Sequence, residues 1–274
     1  MSDRLSAFLE ALGYSEHPFG MFYTDTEPES GFVPKEGVPF SSDMEQRGEL
    51  DFGALFQNWS CVIGNIWLAR KKNSAAYFEA RRFGCIGGSF YLGFHKPQLE
   101  FIAHYVSTGI PGWSKGERYL PSPEVTRRFF EVVDPRPAPA RFCVFKPVSS
   151  FKENETPEVV TFFARGEVMA GLCTLATFAT EDFEAVMSPF GAGCSYITTW
   201  PLLYLKQGRM KAVLGGWDPS DRKFMKTDEM TFSVPYEMYN LFLEKWESSF
   251  LLTDTWAGVK KKIVRSREAW GEKP

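Results

Sequence analysis

Leu5, Phe8, Leu9 and Leu12 recur at helical spacing and stop at Gly13, which predicts an amphipathic helix with a glycine end. A short extended run, Gly20 to Thr24, follows. From Asp25 to Phe52 the chain is rich in Pro, Gly, Ser and acids and has no period, so it reads as a long surface excursion. Beyond Trp59, Val62, Ile63, Ile66 and Trp67 predict a helix ending near Asn73, with Arg70, Lys71 and Lys72 complementing its negative end. Ala75 to Ala80 and Ser89 to Phe94 read as extended, separated by a glycine-rich bend. Pro97 opens a helix reaching Gly109, and Ser122-Pro123-Glu124 starts another through Val125, Phe129 and Val132. The Pro- and Ala-rich Asp134 to Ala140 reads as a linker. Strands are predicted at Phe142 to Val148 and Val159 to Phe163, then a helix from Glu167 to Phe178. A helix from Cys194 to Lys206, strands at Met210 to Leu214 and Met230 to Val234, and a helical C-terminus from Tyr236 complete the pattern.

Interleaved helices and strands predict an α+β fold, a mixed or antiparallel sheet with flanking helices, in a single domain over residues 1–274. The order also admits an internal two-fold repeat with its junction near 134–140. In each half a cysteine heads a helix, and a short strand then runs into a glycine bend: Cys61 to Gly84-Cys85-Ile86-Gly87-Gly88, and Cys194 to Gly215-Gly216.

Composition narrows the function classes. With 274 residues, 44% hydrophobic, 24% charged and a net charge of −3, the chain suits a globular protein and excludes disorder or a general polyanion binder. Aromatic residues make up 16%, 26 of them Phe, which predicts a bulky aromatic core or an aromatic-lined pocket and leaves room for a homodimer interface. Five cysteines, an odd number, suit a reducing compartment, so the Asn58-Trp59-Ser60 sequon carries no glycosylation meaning. Charges interrupt the opening Met-Ser-Asp-Arg-Leu-Ser-Ala-Phe-Leu-Glu, and no apolar run reaches the roughly 18–20 residues of a membrane span. The expectation is a cytoplasmic protein without a membrane partner. Lys260, Lys261, Lys262, Arg265 and Arg267 read as a solvated helix face, because no nucleic-acid motif accompanies them.

Candidate chemistry concentrates in three glycine-bearing segments. In Ser188-Pro189-Phe190-Gly191-Ala192-Gly193-Cys194-Ser195-Tyr196, Gly191 and Gly193 permit close backbone approach to a ligand. The following helix is expected to aim N–H groups and its positive dipole end at the loop, a device that holds anions or activates a thiol. The plain alternative is a tight turn with a buried Cys194. In Gly215-Gly216-Trp217-Asp218-Pro219-Ser220-Asp221-Arg222, Asp218 initiates a turn and Arg222 offers a planar fork, so the two read as a structural bridge or half of a ligand clamp. The Cys85, Gly87 and Gly88 bend reads as a third site segment or a plain β-turn. Were Cys61, Cys85 and Cys194 to converge, their thiolates would suit zinc or an iron–sulfur cluster, although no Cys-x-x-Cys spacing occurs. Cys143 and Cys173 read as core residues. Phosphate-loop, dinucleotide-fingerprint and nucleophile-elbow motifs are missing from the sequence.

Phe190-Gly191-Ala192-Gly193-Cys194-Ser195, Ala212-Val213-Leu214-Gly215, Asp218-Pro219-Ser220, Arg222 and Thr231-Phe232-Ser233-Val234-Pro235 together resemble the bacterial and archaeal domain-of-unknown-function family number 169. Cys61 and the Gly84 to Gly88 bend resemble that family's N-terminal cysteine positions. The resemblance covers most of the chain and implies that these segments form one recurring constellation, without implying an activity. Many members carry a further cysteine where this chain has Gly216, which weakens a four-thiolate cluster here. The leading expectation is a small anionic ligand or cofactor held in a cleft lined by Gly191, Gly193, Cys194, Ser195, Cys85, Gly87 and Gly88, with Cys194, Asp218 and Arg222 as polar contacts. The alternatives are a thiol-dependent enzyme with Cys194 as nucleophile, and a metal or iron–sulfur redox protein using Cys61, Cys85 and Cys194.

Overall fold

The computed structural model describes residues 2–57, 60–95 and 100–271. In chain order the helices and strands are α1 (Ser2–Leu12), β1 (Phe19–Thr24), α2 (Ser42–Gln46), α3 (Phe52–Gln57), α4 (Val62–Lys72), β2 (Ala76–Phe78), α5 (Ile86–Tyr91), α6 (Glu100–Val106), α7 (Pro123–Val132) and β3 (Phe142–Pro147). There follow β4 (Val159–Arg165), α8 (Gly166–Thr180), β5 (Val186–Met187), α9 (Gly193–Ile197), α10 (Thr199–Lys206), β6 (Ala212–Gly215), β7 (Glu229–Pro235), α11 (Tyr236–Lys245) and α12 (Asp254–Ala269). The fold is α+β. Among the described residues no helix is long and apolar enough to cross a membrane. The chain divides into two compact units, one of residues 1–22 with 146–274 and one of residues 23–145. The predicted linker 134–140 lies before the second boundary, inside the latter unit.

The first unit is built on a mixed sheet in the order β1-β4-β7-β6-β5. Its pairs are antiparallel except β5 with β6, which is parallel. Alternation along β4 and β7 sends Val160, Phe162, Ala164, Phe232 and Val234 into one core with Leu5, Phe8 and Leu12 of α1, Leu172 and Leu175 of α8, Met238 and Phe242 of α11, and Trp256 of α12. Phe8 meets Phe162 edge to face at 6.5 Å between ring centres. The aromatic excess is spent largely on such contacts, each fully buried Phe contributing about 1.5–3 kcal/mol.

The opposite face is different in kind. Thr161 and Ser233, directly paired across β4 and β7, share a hydroxyl–hydroxyl hydrogen bond of 2.9 Å, and Thr231 is buried on the same face. Over it lie α9 and α10, which bring buried Ser195, Tyr196, Thr198 and Thr199. One side of the sheet is thus an aromatic core and the other a hydroxyl-rich layer.

Two expectations need correction. The continuous helix from Cys194 to Lys206 is broken at Thr198, whose φ of −135° and ψ of −74° are not helical. Pro201 supplies the reason: in an unbroken helix its ring would collide with the carbonyl of Ile197, whereas after the break it sits in the tolerated first turn of α10. The second concerns Ser89 to Phe94, expected to be extended. Its first half, Ser89 to Tyr91, is the end of α5, and Leu92 to Phe94 turn away from it. Cys85 caps that helix, its Sγ accepting from Gly88 N at 3.2 Å, and a Cβ at Gly88 would lie 2.6 Å from Val62 Cγ2. Close tertiary packing of a glycine face has overridden local propensity. The expected helix start at Pro97 and most of the Asn58-Trp59-Ser60 sequon lie outside the described residues.

The second unit contains α2 to α7 and the antiparallel pair β2–β3, in register Ala76↔Phe145 and Phe78↔Cys143. Leu55, Ile86, Phe101, Ile102 and Ile110 form one of its cores. The course from Asp25 to Phe52 is nearly all irregular, as its composition predicts, with α2 alone held by Ser41 as N-cap. The two segments compared as repeats take different courses: the bend after β2 opens α5, while the bend after β6 leads to a 3-10 turn at Arg222–Phe224.

Candidate functional site

In the first unit the Gly191 to Ser195 loop and the Asp218 to Arg222 turn come together. Gly193 N donates to Asp218 Oδ2 at 3.0 Å, and Ser220 N donates to Asp218 Oδ1 at 2.9 Å. One carboxylate therefore ties its own turn to the start of α9, a carboxylate-to-N–H arrangement worth more than a neutral bond. A Cβ at Gly193 would fall on the Asp221 carboxylate, so only glycine leaves that buried group its place. Gly215 plays the same part for Tyr196, whose ring occupies the space where a Cβ would be. Tyr196 is fully buried, and its hydroxyl donates to Gly191 O at 2.6 Å. Burial, with the nearby carboxylates of Asp218 and Asp221, pushes the Tyr196 phenol far above its ordinary range, so it stays a neutral donor.

The sheet face supplies the floor of this cluster. Thr231 lies opposite Gly215 in the β6–β7 register, and Glu229, two residues earlier on β7, is buried with it. The Thr231 hydroxyl has no hydrogen-bond partner among the described residues. Such groups are uncommon inside proteins, since an unmet polar group costs about 1–3 kcal/mol. Half-buried Trp217 lies 5.4 Å from Tyr196 and 6.3 Å from Phe190 between ring centres, and its Nε1 donates to Ser188 Oγ at 3.1 Å.

Arg222 and Cys194 are placed otherwise than the sequence suggested. The Arg222–Asp218 bridge is not formed. Arg222 Nη1 donates to Gly216 O at 2.7 Å and Glu229 O at 2.6 Å, and Nη2 to Lys226 O at 2.9 Å and Thr227 O at 2.7 Å. Four carbonyls take the four Nη–H groups, which leaves none of them for an anion. Cys194 is 6% exposed and lies inside α9, a helix of only five residues, so the long dipole expected behind it is lacking. Ser195 Oγ donates to Ala192 O at 2.6 Å and closes the loop locally.

Cys61 and Cys85 belong to the second unit. Cys61 occupies the N-cap position of α4, and Cys85 that of α5. The two helix starts are joined by Ser60 N donating to Gly84 O at 3.1 Å, and Gly84, at φ +86°, leaves room for Ser60 O. Among the described residues no group of three or more His, Cys, Asp or Glu side chains is placed to hold a metal ion. Cys143 is buried in β3, and Cys173 packs partly buried against the main core of the first unit, where burial pushes its thiol up.

The second unit also holds a Ser–His pair that the sequence did not single out. Ser89 Oγ and His95 Nδ1 are in hydrogen-bond contact, and the imidazole lies 5.1 Å from the Phe40 ring and 5.5 Å from Phe83. Burial lowers the His95 pKa, so folding favours the neutral ring. The unfolded chain then binds the extra proton first. Stability is expected to fall as pH drops below about 6.5, the unfolded value, and to level off below the folded value. Urea unfolding of wild type and His95→Phe across pH 5–8 checks this: the variant should lose that part of the pH dependence.

The chain matches a family model, DUF169, described as an uncharacterised ArCR family, over residues 7–245. No curated protein and no solved structure matches it.

Proposed function

The chain belongs to the DUF169 family, and from its own residues we propose that it binds a small, neutral or cationic, hydrogen-bond-donating ligand between α9 and the hydroxyl face of the first unit's sheet. The buried, unmet Thr231 hydroxyl carries this reading. Hydroxyls and amides buried without partners are normally satisfied by water or ligand. The charge of the surroundings sets the ligand class. Glu229 is buried two residues before it on β7, Asp218 and Asp221 are buried near Tyr196 in the same cluster, and Arg222 is consumed by carbonyls, so an anion would meet carboxylates and no free guanidinium fork. This replaces the anionic ligand expected from glycine loops alone. Phe190 and Trp217, half-buried where Tyr196 is fully buried, suit an aromatic rim for such a pocket.

Thr231→Val separates a ligand site from a packing detail. Replacing a hydroxyl that has no partner by an isosteric methyl costs the unliganded protein little or stabilises it slightly. Differential scanning fluorimetry with polyols, primary amides and alkylammonium ions, and with phosphate and dicarboxylates as anionic comparators, is the measurement. The expected result is stabilisation of wild type by members of the first group and none by the anions, with the response lost in Thr231→Val at unchanged basal Tm. Stabilisation by anions, or an undiminished response in the variant, contradicts the reading.

A further inference from the structure

Thr231 is 1% exposed and Tyr196 fully buried, so a ligand reaches the unmet hydroxyl only when part of its cover moves. Most of that cover is tied down. On the α9 side Tyr196 donates to Gly191 O, Thr198 Oγ1 to Cys194 O at 2.7 Å, and Trp200 Nε1 to Phe190 O at 3.1 Å. In the bend after β6, Arg222 holds Gly216 O and Asp218 holds Gly193 N, so the backbone is pinned on both sides of residue 217. The Trp217 side chain is held differently. Its one polar atom, Nε1, meets the hydroxyl of exposed Ser188, where water competes for the same bond.

The indole also stands where a cover is needed. Gly216, at φ +82°, turns its open side to β7, and a Cβ there would lie 3.0 Å from Thr231 N. Gly215, the register partner of Thr231, gives its own Cβ space to the Tyr196 ring. The indole rises from the residue after Gly216 and lies 5.4 Å from the Tyr196 ring between centres. It therefore reaches from Gly216 to Tyr196 beside the Gly215–Thr231 pair. With the backbone pinned, the motion left to it is rotation about its own side-chain bonds. Half of it already faces water, so the rotation moves it outward without lifting α9.

We propose that Trp217 is the gate of the Thr231 site, closed by the Ser188 latch and opened by rotation of the indole off Tyr196. This rests on the ligand reading above and adds the route of entry. Its test needs no ligand. A chain carrying Thr231→Cys is treated with 2-aminoethyl methanethiosulfonate, a small cationic reagent that forms a mixed disulfide with a thiolate and releases methanesulfinate. Peptide mass spectrometry follows labelling at position 231 and at Cys194. Position 231 should label slowly in this chain, and about three- to tenfold faster when Ser188→Ala removes the latch. Adding Trp217→Ala instead, which removes the ring contact as well, should accelerate it at least about tenfold. Cys194, within α9, should keep its rate in all three chains, because the helix stays in place. Rates at position 231 indifferent to both substitutions, or an acceleration matched at Cys194, overturn the gate. The two readings fail separately: gated labelling with no thermal stabilisation by polyols, amides or alkylammonium ions removes the ligand, whereas stabilisation with labelling indifferent to Trp217→Ala removes the gate alone.

Discussion

Gly193→Ala lowers the stability of this protein by about 3 kcal/mol, in the range of overpacked buried sites. The opposing effect is small: alanine gains at most about 1 kcal/mol over glycine in a helix. Its methyl would fall on the Asp221 carboxylate, which is buried and short and cannot swing into solvent as a surface side chain would. Any shift of α9 to relieve the collision also stretches the Gly193 N to Asp218 bond. Thermal unfolding followed by near-ultraviolet circular dichroism gives the value. A companion measurement identifies the cause, since in an Asp221→Ala background the same substitution should cost less than about 1 kcal/mol if the two groups collide. Equal cost in both backgrounds would place the strain elsewhere.

Arg222→Lys lowers stability by about 2–3 kcal/mol, although charge is conserved. The guanidinium bonds four carbonyls, from Gly216, Lys226, Thr227 and Glu229, and so ties the start of β7 to the glycine bend after β6. An ammonium has three donors on one atom and cannot span that set. Part of the group is open to water, which supplies partners for some of the carbonyls and keeps the figure below the sum of four bonds. The same experiment discriminates between roles. A residue reserved for an anionic ligand would leave the unliganded protein's Tm unchanged when replaced, whereas a clamp lowers it before any ligand is added. Increased proteolysis between Gly216 and Glu229 should accompany the loss.

The sequence made the strong periodicities legible. The stripe Leu5, Phe8, Leu9 and Leu12 with its glycine stop, and Ser122-Pro123-Glu124 as a helix start, describe α1 and α7 closely, because caps and 3.6-residue repeats are local physics. The glycines at 191, 193, 215 and 216 likewise marked the constricted region. What they are constricted around was not legible. Glycine spacing says that something approaches the backbone, and here it is the Asp221 carboxylate and the Tyr196 ring, reached from distant positions. Arg222 could be read as a clamp but not for what, since the carbonyls it holds depend on the course of residues 216–229.

Thr231-Phe232-Ser233-Val234 shows the same limit in another form. Strict alternation of polar and apolar residues predicts a strand with one solvated face. The polar face is instead buried under α9 and α10, and Thr231 and Ser233 are among the least exposed residues in the chain. Pattern fixes which side chains share a face, not what covers that face. The break at Thr198 was legible in retrospect through Pro201, four residues after Ile197.

A crystal structure of the purified protein at high resolution tests the central reading most directly, with attention to what contacts Thr231 Oγ1. The ligand reading predicts density larger than a water, hydrogen-bonded to that hydroxyl in wild type soaked with the best stabilising polyol, amide or alkylammonium, and lost in Thr231→Val. A lone water in that place under the same soak, or a hydroxyl turned onto a protein acceptor, would contradict it and make the layer beneath α9 a structural one.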